Sequence, residues 1–201
     1  MRPGNGGLRD RCLLAIALIA SATLTFPLHA QTADTPDDMV TRLSGLETAP
    51  ELDLAALRQR AVDRIKAKAD AVPLKRPPLT TELRKLPQFT VGIRFDPDTS
   101  IVRPESYQSL GRIADALVRQ SLLPYGFLIV GHTESTGKRD YNLTLSQKRA
   151  DSIRDVLVTT FKISPKRLQA IGLGEEQLLD PAQPAAAINQ QFQIVTIAKA
   201  P

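Results

Sequence analysis

Alternating apolar positions mark the first strand of a compact domain that we predict over residues 88–199. Four apolar residues there alternate with polar or small ones: Phe89, Val91, Ile93 and Phe95. This period-two pattern is typical of a strand with one buried face. The continuous apolar run 127–130 predicts a second strand that is covered on both faces. Shorter apolar segments at 168–171 and 192–197 predict two further strands.

Two segments with helical periodicity lie between these strands. The first begins at Pro104 and Glu105, since proline suits the first turn of a helix and an acidic group favours its N-terminal end. Its predicted buried stripe is Leu110, Ile113, Ala114, Leu117 and Val118. The second helix is predicted over residues 142–161. This order of elements predicts an α+β fold, a two-layer βαβαββ sandwich with both helices packed on one sheet.

The chain before this domain divides into four predicted segments. Residues 1–30 have a basic start, an apolar run and a small residue at the end, which is typical of a cleaved secretory signal peptide. The apolar run is at the short end of what spans a bilayer, so an uncleaved anchor is the less favoured alternative. Residues 31–50, rich in Thr, Asp and Pro, predict a disordered leader, and the prolines of residues 73–87 predict a stiff tether.

The fourth segment, residues 51–72, predicts a basic amphipathic helix. Apolar residues recur at helical spacing and arginines and lysines lie between them. The favoured interpretation is a solvated spacer. The alternative is a helix that contacts a membrane surface or a protein partner. The sequence does not decide between the two.

Composition excludes several classes of function. The only cysteine, Cys12, lies in the predicted signal peptide, so the exported periplasmic chain has no disulfide and a metal site is not expected. Loss of that segment removes three arginines and one aspartate and lowers the formal net charge from +5 to +3, which is weak evidence for nucleic acid. The loop between Gly131 and Gly137 has the wrong spacing for a phosphate loop, so no nucleotide is predicted. The chain lacks a nucleophile in a recognisable context, so neither an enzyme nor a cofactor is predicted, and His132 is interpreted as a residue that orients its loop.

One charged residue lies on the apolar side of the second predicted helix. At about 100° per residue, the apolar positions fall between roughly 200° and 340° when Leu143 is placed at zero. Arg149 falls at roughly 240°, inside that arc, and Asn142 falls beside it at roughly 260°. A guanidinium that points toward a core needs an anionic partner or a cleft, because an unpaired buried charge is costly.

Carboxylates that follow two strands are the candidate partners of Arg149. Glu134 follows the second strand, and Asp96 holds the equivalent place after the first. Ligands in such sheets are usually held at the carboxyl ends of strands. Two carboxylates, an arginine and an amide can grip a small zwitterion, with the carboxylates on its ammonium and the arginine on its carboxylate. The alternative is an internal salt bridge between Glu134 and Arg149 that only closes the domain.

Two linked motifs carry the most specific signal in the chain: Gly131-His132-Thr133-Glu134-Ser135-Thr136-Gly137 and Tyr141-Asn142-Leu143-Thr144-Leu145-Ser146-Gln147-Lys148-Arg149-Ala150. Further motifs accompany them: Phe95-Asp96, Pro104-Glu105-Ser106, Ile113-Ala114-Asp115-Ala116-Leu117 and Gly172-Leu173-Gly174-Glu175. Together they resemble the OmpA-like C-terminal domain, a family shared by porin tails, peptidoglycan-associated lipoproteins and flagellar stator proteins. The resemblance covers nearly all of residues 88–199 and implies non-covalent binding of peptidoglycan through the diaminopimelate of its stem peptide.

The resemblance assigns binding roles to five residues. Glu134 corresponds to the family's key acidic residue and Arg149 to its key arginine, while the flanking ligand contacts correspond to Asp96, Thr136 and Asn142. Two departures stand against it: Glu134 replaces the usual aspartate, and Asn189-Gln190-Gln191-Phe192 replaces a motif with two arginines. The missing arginine supports an alternative function, a periplasmic scaffold that keeps the fold but binds an envelope protein instead of the wall.

Overall fold

The structure is a computed structural model that describes residues 35–48, 50, 52–68 and 77–199; the predicted signal peptide lies outside them. The helices and strands of these ranges are α1 Pro36–Leu43, α2 Leu54–Lys66, β1 Gln88–Val91, α3 Tyr107–Leu117, β2 Tyr125–His132, α4 Arg139–Thr159, β3 Leu168–Gly174 and β4 Phe192–Lys199. From β1 onward the order is strand, helix, strand, helix, strand, strand. The predicted α+β class is confirmed.

The four strands form one mixed sheet in the order β1-β4-β2-β3. β4 is antiparallel to both of its neighbours, whereas β2 and β3 are parallel. The carboxyl end of β1 therefore lies at the same edge as those of β2 and β3. This edge collects the three loops that follow these strands, which is where ligands are held in sheets of this kind.

One face of the sheet is covered by α1, α3 and α4. The strands contribute Phe127, Ile129, Phe192 and Ile194 to this face, and α3 and α4 contribute Leu110, Ile113, Leu117, Ile153 and Leu157. Both predicted helices thus pack on the same side of the sheet, as expected. Val118 is the exception in the predicted stripe, because it follows the last residue of α3 and is 53% exposed.

The opposite face of the sheet is covered by α2 and by residues 77–87, including a 3-10 helix at Glu82–Lys85. Leu57 and Ala61 of α2, together with Leu79 and Leu83, pack on the strand residues of this face. The N-terminal extension therefore adds a layer to the predicted sandwich, and α2 is not a solvated spacer, because its apolar side is buried against the domain. None of the helices in the described ranges is both long and apolar enough to cross a bilayer.

Two segments of the extension differ from their predictions. The predicted tether, residues 73–87, is packed from residue 77 onward, and Leu83 is 1% exposed; residues 73–76 lie outside the described part of the chain. The predicted leader, residues 31–50, contains α1. Thr35 and Asp38 form a reciprocal capping box at its start, and Met39 and Leu43 are buried in the core. The cap and these two core residues offset the ordering cost in a segment of otherwise polar composition.

Gly172 lets α4 approach β3 closely. A Cβ atom at this position would overlap backbone atoms of Gln147 and Ser146 in α4. In the space left by the missing side chain, the Gly172 amide donates to Gln147 Oε1 at 2.8 Å. Arg58 of α2 donates to the same Oε1 at 2.8 Å. Gly131 of β2 does the same, since a Cβ there would lie 2.5 Å from the Ser146 carbonyl oxygen. These glycines set the distance between α4 and the sheet, and so the position of the helix that carries Arg149.

Candidate functional site

An open cleft of about 480 Å³ lies at the sheet edge that collects the loops. Its lining comes from the segment after β1, the loop after β2, the first half of α4 and the end of the loop before β4. The lining residues are Ile93, Phe95, Pro97, Asp98, Thr133, Glu134, Thr136, Gly137, Tyr141, Asn142, Leu145, Arg149 and Gln190. Four of the five residues predicted from the sequence are therefore brought together around one cleft.

Arg149 is the buried cation of the cleft. Its side chain lies on the inner side of α4, is part of a residue only 5% exposed, and packs with Cζ 5.1 Å from the centroid of the Phe95 ring. Nε donates to the Thr99 carbonyl at 2.9 Å, which orients the guanidinium. Burial lowers the pKa of Arg149, while nearby Tyr141, Asp98 and Glu134 act to raise it.

Arg149 has no ion-pair partner within the described part of the chain. The internal salt bridge with Glu134, which was the alternative prediction, is not formed there. The guanidinium instead faces a cleft that also contains Glu134 and Asp98. Because a buried cation is costly without an anion, this arrangement favours an anionic group that comes from outside the chain.

The loop after β2, residues 133–137, presents Glu134 and Thr136. Asn142, which is 5% exposed, ties this loop to α4 by donating from Nδ2 to the Thr136 carbonyl at 2.8 Å and, more weakly, to the Glu134 carbonyl at 3.4 Å. The same nitrogen donates to Glu175 Oε2 at 2.7 Å. Since protein oxygens engage the Asn142 amide nitrogen, this residue acts first by fixing the loop that carries Glu134.

Two buried glutamates after β3 hold this loop and the start of α4. Glu175 accepts from Ser135 Oγ at 2.8 Å. Glu176 forms a bidentate ion pair with Arg139. The distances are 2.7 Å from Nε to Oε1 and 2.6 Å from Nη2 to Oε2. These bonds join the start of α4 to the loops after β2 and β3. The cleft is therefore built on a cross-linked edge, and this geometry costs little to organise when a ligand arrives.

The structure places Asp98, and not Asp96, in the lining of the cleft. The Asp96 carboxylate accepts from Arg103 Nε at 3.1 Å, which holds it outside the lining. The chain then turns at Asp98, whose φ of 56° is the left-handed conformation that aspartate tolerates. Tyr141 Oη donates to the Asp98 carbonyl at 3.2 Å and so fixes the turn against α4. By geometry, Asp98 supplies the second carboxylate of the cleft.

Thr133 is a lining residue that the sequence reasoning missed. It is 2% exposed, and its hydroxyl has no hydrogen-bond partner among the residues that the structure describes. A buried hydroxyl without a partner is costly and is therefore a candidate contact for a ligand. Its position directly after a strand end was the only sequence signal that could have identified it.

His132 lies directly below this loop and is fully buried. Nδ1 is 2.8 Å from the Gln177 carbonyl, and Nε2 is 2.9 Å from Gln193 Oε1. Burial lowers the pKa of His132 below its ordinary value of 6.5, and the two hydrogen bonds oppose this effect. The folded protein thus favours the neutral imidazole more than the unfolded chain does. The ring joins β2 to β4 and to the loop after β3; that it orients the loop after β2 stays a prediction.

Acid should therefore destabilise the protein through His132. Its contribution is fully present above the unfolded pKa and is lost as the pH falls through the lower folded pKa. We expect the melting temperature of the wild type to fall between pH 7.5 and pH 5 by more than that of His132→Asn, which keeps a donor for the Gln177 carbonyl. Thermal unfolding followed by circular dichroism measures both. Parallel losses in the two proteins would assign the acid sensitivity to other groups.

The sheet order, the two crossover helices and the edge cleft define the molecule as an α+β sandwich domain with a polar cleft at the carboxyl ends of its strands. Residues 94–191 match the model of the OmpA family, and this domain is a member of that family. The predicted family is thereby confirmed. Gln190, at the position where the resemblance places an arginine, lines the cleft with an exposed side chain.

Similar proteins come from the bacterial envelope. Outer membrane porin F of Pseudomonas fluorescens is 35% identical over 112 residues, which are 55% of this chain and 33% of that protein. Peptidoglycan-associated lipoprotein of Brucella melitensis is 32% identical over 113 residues, which are 54% of this chain and 66% of that protein. The match thus spans about a third of the porin and about two thirds of the lipoprotein.

One solved structure of a peptidoglycan-associated lipoprotein is also similar to this chain. The crystal structure of the peptidoglycan-associated lipoprotein from Burkholderia pseudomallei is 29% identical, covers 62% of this chain and 98% of its own, and superposes with a TM-score of 0.43.

Proposed function

We propose that this domain binds peptidoglycan non-covalently in the periplasm by gripping the diaminopimelate of the stem peptide, and so tethers the protein to the cell wall. The observation that carries the proposal is the buried Arg149 guanidinium, which faces an open cleft without an ion-pair partner among the described residues. The free end of diaminopimelate bears an ammonium and a carboxylate on one carbon. The cleft offers groups of the opposite charge for both.

Each part of the ligand has a chemical counterpart in the cleft. The ligand carboxylate takes the Nη groups of Arg149, since Nε is already engaged by the Thr99 carbonyl. Its ammonium takes the carboxylates of Glu134 and Asp98, which lie near the guanidinium in the same cleft. The Thr133 hydroxyl and the fixed segment around Thr136 complete the set of polar contacts.

The relatives support this proposal at the level of the cell envelope. A protein named for its association with peptidoglycan shares about a third of its residues with this domain over the matched segment, and a porin of the outer membrane does so too. Export by the predicted signal peptide would bring the domain to the same compartment. Capture of this kind needs no chemistry on the ligand, so the proposed function is a binding function without catalysis.

Titration calorimetry of residues 31–201 tests the proposal. A tripeptide that ends in diaminopimelate should give saturable heat. The matched tripeptide that ends in lysine lacks the carboxylate opposite Arg149 and should bind about 30-fold more weakly or worse, because a desolvated charge loses its partner. A folded protein that gives no heat with either peptide would contradict wall capture and favour the scaffold alternative.

Two aspartates provide a matched pair for the same titration. Asp98→Asn removes a carboxylate from the cleft lining and should weaken binding of the diaminopimelate peptide by about tenfold, the cost of a charge-assisted hydrogen bond. Asp96→Asn changes the charge equally, but Arg103 holds that side chain outside the lining, so its affinity should stay within about twofold of the wild type. The reverse order of effects would return the ligand role to Asp96.

A further inference from the structure

A second groove of about 310 Å³ lies beside the cleft, on the other side of the contact between Tyr141 and Asp98. It runs between the turn after β1 and the outer side of α4. Five residues line the groove and not the cleft: Thr99, Ser100, Ile101, Thr144 and Lys148. Asp98, Tyr141 and Leu145 line both spaces, so the groove continues the cleft.

The groove combines exposed apolar surface with an unpaired cation. Ile101 is 62% exposed and Tyr141 is 46% exposed, although large apolar side chains are usually buried. Lys148 is exposed, and none of the ion pairs within the described ranges includes its ammonium. These features fit a small apolar group that carries a carboxylate.

We propose that this groove is a second subsite, which takes the residue that follows diaminopimelate in the stem peptide and binds its free C-terminal carboxylate at Lys148. The inference rests on the proposed function of the cleft. The occupant is a small apolar amino acid at the end of the peptide, with its side chain against Ile101 and Tyr141.

The position of Lys148 on α4 places a second cation next to the cleft but apart from Arg149. Lys148 and Arg149 are neighbours in sequence, and their side chains leave the helix about 100° apart. The boundary formed by Tyr141 and Asp98 separates the two cations, since Arg149 lines only the cleft and Lys148 only the groove. The group held at Arg149 is the end of the diaminopimelate side chain, which three methylene groups separate from the peptide backbone. The next residue of the stem peptide is joined to the backbone end, so it lies beside the cleft, and the groove is the space that continues the cleft there.

This arrangement predicts a preference for stem peptides with a free end. A terminal carboxylate gains the charge of Lys148, whereas a carboxyl group that has become an amide, as in a cross-link, loses it. Binding would therefore report on how far the wall has been cross-linked. The effect is modest, because Lys148 is exposed and water screens its charge.

The test is a calorimetric titration of residues 31–201 with three probes: the diaminopimelate tripeptide, the tetrapeptide that adds alanine with a free carboxylate, and the C-terminal amide of that tetrapeptide. We expect the acid to bind about two- to fivefold more tightly than the amide, the size of an exposed ion pair. Lys148→Gln should bind the acid and the amide equally while keeping its affinity for the tripeptide. Lys166→Gln removes a charge from an exposed residue beyond the end of α4 and should keep the wild-type preference.

The outcomes separate the two levels of the proposal. Equal affinities for acid and amide in the wild type, with strong binding of the tripeptide, would overturn the groove subsite and leave capture in the cleft standing. A preference for the acid that persists in Lys148→Gln would also overturn it. Absence of heat with all three probes would overturn both proposals.

Discussion

Replacing Arg149 with methionine should abolish the capture of peptidoglycan and leave the fold at least as stable. Methionine has a similar length and suits an apolar environment. The change removes a guanidinium that burial disfavours and gives up its hydrogen bond to the Thr99 carbonyl, which contributes about 1 kcal/mol. The methionine side chain takes over the contact of the guanidinium with the Phe95 ring. In the complex, however, the ligand carboxylate would face an apolar side chain, and the loss of about 2–5 kcal/mol corresponds to about 30-fold or more in affinity.

Two measurements on the same preparations check this result. Retention on purified sacculi, with displacement by free diaminopimelate, reports binding, and thermal unfolding reports stability. Arg60→Met is the matched control, because Arg60 is an exposed arginine of α2 outside the cleft lining. If Arg149→Met stayed on the sacculi as the wild type does, the cleft would not be the binding site. If it unfolded instead, Arg149 would be a structural residue.

Replacing Gly172 with alanine should cause the largest loss of stability of any single methyl group added to a described glycine. The new Cβ would overlap backbone atoms of α4, at 2.6 Å from the carbonyl carbon of Ser146, and backbone cannot move aside as a flexible side chain can. The helix must shift away from β3, and its hydrogen bond between Gln147 Oε1 and the Gly172 amide must break. We expect a loss of about 3 kcal/mol or more and a melting temperature lower by roughly 10 °C.

Gly92→Ala is the control for this experiment. A Cβ at Gly92 meets no atom within 4 Å, so its free energy of unfolding should change by no more than about 0.5 kcal/mol. Denaturant unfolding of both variants measures the difference directly. Similar stabilities would mean that α4 can pack farther from the sheet than the structure shows. Because α4 carries Arg149 and Asn142, Gly172→Ala should also weaken binding, although residue 172 lines no part of the cleft.

The sequence predicts the core of the fold because burial there follows a simple period. Phe89 is buried in β1 and the continuous run 127–130 is covered on both faces in β2, as predicted. Ile93 is also buried, but it lies after the end of β1, which is shorter than the alternation suggested. The helical wheel placed Arg149 on the inner side of α4, and the residue is indeed buried. The wheel also led to Asn142, the position after a strand led to Glu134, and the family resemblance led to Thr136. All three line the cleft, and their contact with a ligand remains a prediction.

What the sequence could not show depends on backbone angles and on sparse contacts. Asp96 and Asp98 are residues of the same type two positions apart. Only the left-handed turn at Asp98 decides which of them lines the cleft. The apolar residues of α1, Met39, Val40 and Leu43, have helical spacing, but the helix is only 8 residues long in a polar segment, so the period is too short to stand out. The prolines of residues 77–87 suggest an extended tether, whereas the segment packs on the sheet through two leucines, Leu79 and Leu83.

The placement of α1 and α2 on opposite faces of the sheet has a mechanical consequence. A pull on the chain from its N-terminal side loads α1 first, where the Leu43 carbonyl is held by Thr196 Oγ1 at 2.8 Å. The load then reaches α2, whose Arg58 is hydrogen-bonded to Gln147 of α4. These contacts would break one after another, and each break would take up mechanical work before the force reaches β1. We expect the N-terminal extension to detach and unfold before the domain does, so that the cleft keeps its shape under tension.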